Sequence, residues 1–210
     1  MKTLVIGAGS MGSAFVKQLH AAGYHVSVTA RDTAKAATLA AQYPGVRAVD
    51  VQGAASDADV VVLATGYGDA ISALRAVGQL TGKVVIDITN PLTADYMGLT
   101  LGHSTSAAEE IAHAVPEAIV VKAFNTIFAQ VLAEGADFGN GKTVTVFVAS
   151  DSQHGKETAG ALAQSLGFAV VQAGGLKNAR YLEPLAGLNV FLGYGAGLGT
   201  GIAPTWMHKA

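Results

Sequence analysis

The sequence predicts an α/β protein, a Rossmann-type doubly wound parallel sheet with a small C-terminal subdomain. Three observations predict it. Short runs rich in Val and Ile alternate along the chain with segments of helical spacing, the pattern that lays helices on both faces of a parallel sheet. The run "VVVL" at 60–63 is apolar throughout rather than alternating, as a strand covered on both faces requires. Finally, "GAGSMG" sets Gly7, Gly9 and Gly12 in G-x-G-x-x-G spacing between the first apolar run and the first helical segment.

The elements follow in order. "TLVIGAG" is a strand ending in glycine, and a helix is expected from about Ser10 to Ala22. "HVSVTA" is the second strand, followed by a helix from about Thr33 to Gln42. "DADVVVLATG" is a strand, "AISALRAVGQL" has helical spacing, and "KVVIDITNP" is the next strand. "STSAAEEIAHAV" opens a helix with Ser106 and Glu109 at capping-box spacing. "AIVVKAFN" and "TVTVFVAS" supply two strands. "SQHGKETAGALAQSLG" is a helix closed by glycine, and "FAVVQAG" is the last strand. No internal repeat and no low-complexity linker divides the chain, so one compact unit is expected.

Composition narrows the function. The chain has 210 residues, half of them hydrophobic and 13% charged, enough to bury a sizeable core. A formal net charge of −2 gives no electrostatic case for nucleic acid. The absence of cysteine excludes disulfides, thiol catalysis and Cys-ligated metal. "MKTLVIGAG" lacks the long apolar stretch of a secretory signal, so a cytoplasmic location is expected. From Pro184 to Met207 no residue is charged, a length that suggests a membrane span. Yet Gly187, Gly193, Gly195, Gly197, Gly199 and Gly201 crowd it, and each glycine disfavours helix by about 1 kcal/mol relative to alanine. The expectation is therefore no membrane contact. A buried helix should run roughly to Leu192, followed by a glycine-rich turn packed on the core or across the interface of a homodimer.

The glycine loop predicts a dinucleotide site. Gly7 permits the tight turn, Gly9 lets the backbone approach a pyrophosphate, and Gly12 lets the helix pack closely on the strand. The free N–H groups near Ser10 and Met11 then face the anion. The cofactor choice rests on the end of the second strand, "VTARD". A carboxylate there would bind the ribose 2′-OH of NAD; Arg31 instead suits the 2′-phosphate of NADP. Lys35 lies one helical turn on, within reach of the same phosphate. Asp32 works against the charge argument but is a good N-cap for the following helix.

In open α/β sheets the ligand lies over the carboxyl ends of the strands. Three such ends are "LATGYG", "TNP" and "KAFNT". They place Ala64, Thr65 and Tyr67 along the adenine-to-ribose stretch, and Asn90, Ala123 and Asn125 near the nicotinamide. No acid–base pair shows itself, so no catalytic residue is assigned. His20, His25, His113 and His154 fall on helices or at element starts, and His103 lies in a polar loop. Lys122 ends a strand, with its stem expected to pack and its head to reach water. No spacing suits a metal site. This gap fits hydride transfer to a flavin-like acceptor, in which the cofactors carry the chemistry.

"VIGAGSMGSAFVKQL", "TARD", "VVKAFNT" and "GGLKNARYLEPL" together resemble the deazaflavin-dependent NADP oxidoreductase family. The same layout occurs in the cytoplasmic oxidoreductase domain of the STEAP metalloreductases, with "KAFNT" an especially close match. The resemblance spans nearly the whole chain. It implies an NADP-binding core over 1–126, with 127–210 completing the sheet and an acceptor pocket. A deazaflavin or flavin would stack there as a small-molecule redox acceptor, walled by residues around Asn178–Asn189. Family members carry Ser-Arg at the second strand end. The pair here is Ala30-Arg31, so one hydroxyl contact to the phosphate is lost. Two other readings remain open, a non-catalytic NADP-binding redox sensor and a small-substrate imino or hydroxyacid reductase. The second usually adds a long helical domain, for which the stretch after Val171 is too short.

Overall fold

The computed structural model describes residues 1–139 and 141–206. Six strands form one parallel sheet: β1 (Lys2–Ile6), β2 (His25–Thr29), β3 (Arg47–Ala48), β4 (Val60–Leu63), β5 (Val84–Asp87) and β6 (Ile119–Lys122). Their order is β3-β2-β1-β4-β5-β6, the doubly wound order in which the chain reverses direction between β1 and β4. The helices are α1 (Ser10–Ala21), α2 (Thr33–Ala40), α3 (Tyr67–Ala76), α4 (Ala107–Ala114), α5 (Ala129–Glu134), α6 (Gln153–Ser165) and α7 (Ala179–Val190).

Strand alternation splits the core into two layers. Val5, Val62, Ile86 and Val121 face one apolar cluster with Phe15 and Phe124. Leu4, Val61, Leu63, Val85 and Val120 face the other with Leu74 and Ile111. Neighbouring residues of one strand thus point to opposite faces, and both faces are covered. Phe124 sits between Phe15 and Phe168, with edge-on ring centroids 5.0 and 5.8 Å away.

The register places the strand ends in one row. Ile6 pairs with Thr29 and Leu63, Leu63 with Asp87, and Asp87 with Lys122. Residues just beyond that row therefore emerge along one edge. This is why glycine loop, Arg31, Thr65 and Asn90 gather although they are far apart in sequence.

Two differences from the expectation stand out. Strands β7 (Thr145–Val148) and β8 (Ala169–Gln172) pair with each other in a separate two-stranded sheet. They do not extend the main ladder, and meet it through one antiparallel bridge between Lys122 and Ala149. The C-terminal helix also departs from the reading. It ends at Val190, passes into a π-turn over Phe191–Gly195, and is only half covered: Leu188, Phe191, Tyr194 and Leu198 are exposed. Among the described residues no helix is long and apolar enough to cross a membrane. Met207, the end of the uncharged stretch, lies outside the described residues.

Candidate functional site

The three glycines of the loop differ in what a side chain would meet. Gly7 has φ +119°, and a Cβ there would stand 2.3 Å from the Ala64 carbonyl oxygen. At Gly12 a Cβ would stand 1.9 Å from the Gly7 carbonyl oxygen. Around Gly9 nothing lies within 4 Å. Gly7 and Gly12 are thus required by the fold, whereas Gly9 borders open space. No side chain caps the N-terminus of α1, whose first N–H groups have no intrahelical partner.

That open space belongs to a groove with two lobes. The outer lobe, ≈ 710 Å³, is lined by Gly7, Gly9, Arg31, Asp32, Lys35, Thr65 and Asp69, among others. The inner lobe, ≈ 810 Å³, is lined by Ser10, Met11, Tyr67, Thr89, Asn90, Thr93, Tyr96 and Thr100, among others. Gly9, Ala64, Thr65 and Gly66 line both lobes, so the groove runs unbroken over the switch between β1 and β4.

Two cations and two carboxylates mark the outer end. Asp32 caps α2 by accepting from the Lys35 N–H at 3.2 Å, and its other oxygen lies 3.7 Å from Lys35 Nζ. Arg31 Nη1 stands 3.3 Å from Asp69 Oδ1, with the Arg31 side chain 89% exposed. An ion pair this open is worth about 0–1 kcal/mol, so Arg31 can turn to an incoming anion at little cost. Asp69 escaped the sequence reading, because nothing in "YGDAISAL" marks it as facing the second strand end. Thr29 is fully buried, as alternation requires, so its hydroxyl does not replace the missing serine.

At the inner end Asn90 stands in the wall, and Asn125 and Ala123 are buried behind it. The two asparagines are locked together: Asn90 Nδ2 donates to the Asn125 carbonyl at 2.8 Å, and Asn125 Nδ2 donates to Asn90 Oδ1 at 2.9 Å. Asn125 Nδ2 also donates to the Leu182 carbonyl, tying the wall to α7. Tyr67 presents its ring to the groove while its hydroxyl donates to Glu110 Oε2 at 2.5 Å. Burial first, and the Glu110 carboxylate second, push the Tyr67 phenol well above its ordinary pKa, so it stays protonated.

Residues 92–100 wall the inner lobe, whereas Asn178, Arg180, Tyr181 and Pro184 of the expected Asn178–Asn189 wall line a neighbouring cleft. The 92–100 loop is fixed by an antiparallel bridge between Leu92 and Leu99 and by the Gly98 N–H donating to Thr93 Oγ1. His103 and Lys177 border the same neighbouring cleft.

Lys122 corrects the sequence reading most clearly. Its head does not reach water. The side chain is fully buried, and Nζ donates to Asp87 Oδ2 at 2.8 Å and to the Thr89 carbonyl at 2.7 Å. Nζ also lies 2.9 Å from Glu183 Oε1. Glu183 in turn accepts the Ala107 and Ala108 N–H groups at the start of α4, where the helix dipole favours a carboxylate. One buried ammonium thus joins β5, β6, α7 and α4 directly beneath the inner lobe.

These residues fit a dinucleotide. Gly9 leaves the space a pyrophosphate needs, an uncapped helix start faces it, and Thr65 Oγ1 is buried in the shared wall without a partner. Among the described residues no cluster of three metal-ligating side chains occurs.

Comparison with known proteins agrees with this geometry. Residues 2–91 match the family described as "NADP oxidoreductase coenzyme F420-dependent". Rat metalloreductase STEAP3 is 30% identical over 185 residues, covering 88% of this chain and 36% of that protein. The chain thus spans about a third of the length of this curated relative. A crystal structure from Arthrobacter, assigned provisionally as an F420-dependent NADP-reductase, superposes with a TM-score of 0.85. It is 29% identical, with 96% of each chain covered. A reductive aminase of Aspergillus terreus in complex with an NADPH derivative shares the fold alone, at 18% identity and a TM-score of 0.65 over 93% of this chain and 62% of that one.

Proposed function

We propose, for a chain that belongs among the NADP-dependent oxidoreductases and resembles their coenzyme F420-dependent family, that it transfers a hydride between NADPH and a deazaflavin, flavin or similar acceptor. The observation that carries this reading is the unbroken groove, which holds Arg31 and Lys35 at its outer end, each beside a carboxylate, and is lined by amides and hydroxyls at its inner end. Arg31 and Lys35 would hold the 2′-phosphate, and the N–H groups of Ser10 and Met11 the pyrophosphate. Thr65 has a free hydroxyl for the middle of the ligand. Asn90, oriented by Asn125, would position the nicotinamide end.

NADPH supplies the hydride, and the chain's part is to place and shield the reacting rings. Among the described residues no His, Lys, Asp or Glu lines the inner lobe. Two tyrosines line it: Tyr67, whose proton is committed to Glu110, and Tyr96, whose side chain is exposed on the 92–100 loop. That lining suits transfer between two rings in contact, for which no side-chain acid is needed, better than reduction of a carbonyl or imine. Cytoplasmic action as a homodimer completes the proposal. The exposed Leu188, Phe191, Tyr194 and Leu198 support the dimer, since an apolar strip of this kind is costly to leave in water.

The test is NADPH oxidation by the purified protein with deazaflavin, flavin and quinone acceptors. Turnover with at least one ring acceptor is expected. Tight NADPH binding with no acceptor reduced would favour the redox sensor. A monomer at all concentrations in sedimentation would remove the dimer.

A further inference from the structure

Outside the dinucleotide groove lies a third cleft, ≈ 490 Å³, lined by His103, Lys177, Asn178, Arg180, Tyr181 and Pro184. Among the described residues its lining holds two cations and a histidine and no carboxylate, in a chain whose net charge is −2. Arg180 is already ordered. Its Nε donates to Glu109 Oε2 at 2.8 Å and Nη2 to Glu109 Oε1 at 2.7 Å, while Nη1 reaches only the His103 carbonyl, at 3.5 Å. A donor edge is therefore held in place with its rotamer fixed. Lys177 is exposed and makes no hydrogen bond or ion pair with another described residue. Glu109 is bonded to Arg180 and also feels the charge of Lys177, so the two cations share one carboxylate and one positive charge is left over.

The cleft adjoins the inner lobe. Thr100 lines the inner lobe and His103 the third cleft, so the short segment between them is the partition. Glu109 and Glu110, neighbours on α4, hold Arg180 on one side and Tyr67 on the other. The two walls are thus fixed to one turn of one helix.

We propose that this cleft is an anion subsite that takes a phosphate or carboxylate group carried by the redox acceptor, a proposal that rests on the acceptor reading above. The acceptor's ring would lie in the inner lobe and its anionic arm would cross the partition to Lys177 and Arg180. Each gains a charge-assisted hydrogen bond there.

Riboflavin and its 5′-phosphate, FMN, share a ring and differ by one phosphate, and inorganic phosphate isolates that group. Calorimetry is run on the whole chain saturated with NADP⁺, so that Arg31 is occupied. FMN should bind about tenfold more tightly than riboflavin, as one charge-assisted contact allows. Lys177→Gln should erase that difference while leaving riboflavin binding unchanged. Inorganic phosphate should weaken FMN binding and not riboflavin binding. If phosphate binds in a Lys177-dependent way but FMN has no advantage, the cleft serves a free anion and the link to the acceptor is overturned. If neither FMN nor phosphate binding depends on Lys177, the subsite itself is overturned. Failure of the enzyme reading shows separately, as Lys177-dependent phosphate binding without turnover of either flavin.

Discussion

Replacing Lys122 by methionine keeps the volume of the side chain and removes its charge. The ammonium it deletes has three partners within 2.9 Å: Asp87, Glu183 and the Thr89 carbonyl. Asp87 keeps the Thr89 N–H, and Glu183 keeps the Ala107 and Ala108 N–H groups, but neither carboxylate keeps a counter-charge. Breaking a buried pair by removing one partner costs about 3–5 kcal/mol, because the stranded charge stays out of water. At about 2–4 °C per kcal/mol for a chain of this size, the melting temperature should fall by about 6–20 °C. Scanning calorimetry reads this directly. The double variant Lys122→Met/Glu183→Gln should recover part of the loss, since it strands one charge fewer. Turnover, measured at a temperature where both proteins are folded, should stay within about tenfold, because Lys122 does not line the groove. A Lys122→Met protein within about 1 kcal/mol of its parent would refute the reasoning, for it would mean that the two carboxylates are not held by charge.

Four further outcomes are expected. Arg31→Ala should weaken NADP(H) binding by one to two decades, roughly 1.5–3 kcal/mol, and leave NAD(H) binding nearly unchanged; equal affinities for the two dinucleotides in the parent would sink this assignment. Asp69→Asn should act in the opposite direction, tightening NADP(H) by freeing Arg31, as titration calorimetry would show. Gly9→Val should abolish binding of both dinucleotides with an unchanged melting curve, because a Cβ there meets no protein atom, whereas Gly12→Val should fail to fold. Arg180 holds the Glu109 carboxyl below its ordinary value of 4.5. A depressed carboxylate contributes stability above its unfolded pKa and loses it as pH falls through the folded one. Glu109→Gln should therefore be less stable than the parent at neutral pH, with the gap in urea midpoints closing below about pH 4.5.

The parts of this site that could be read from sequence are those carried by local spacing. "GAGSMG" announces a strand, a turn and a helix start within six residues, and the Val runs announce strands buried on both faces. Arg31 could be read because its position after the second strand is fixed by that same unit. What escaped depends on contacts between distant segments. Asp87 ends an apolar strand and Glu183 sits just ahead of an uncharged stretch, but nothing local says that Lys122 lies between them. The 92–100 wall looks like an ordinary turn until the bridge between Leu92 and Leu99 folds it over the groove. Periodicity likewise holds no signal that β7 and β8 pair apart from the main sheet and touch it through a bridge at Lys122. Phe124 belongs here too: it takes φ +59°, unusual for a bulky residue, and its burial between two aromatic rings is what holds it there.

The reach of Glu183 into the start of α4 has a consequence for isotope exchange. The first amides of a helix normally lie open to water and exchange within the fraying of their own turn. Those of Ala107 and Ala108 are instead bonded at 2.9 and 3.1 Å to a side chain from α7. They can take up deuterium only when Glu183 withdraws, whatever α4 itself is doing. Two protons on one helix therefore time the departures of another, and their lifetime should match that of amides in the middle of α7 rather than those of their own neighbours.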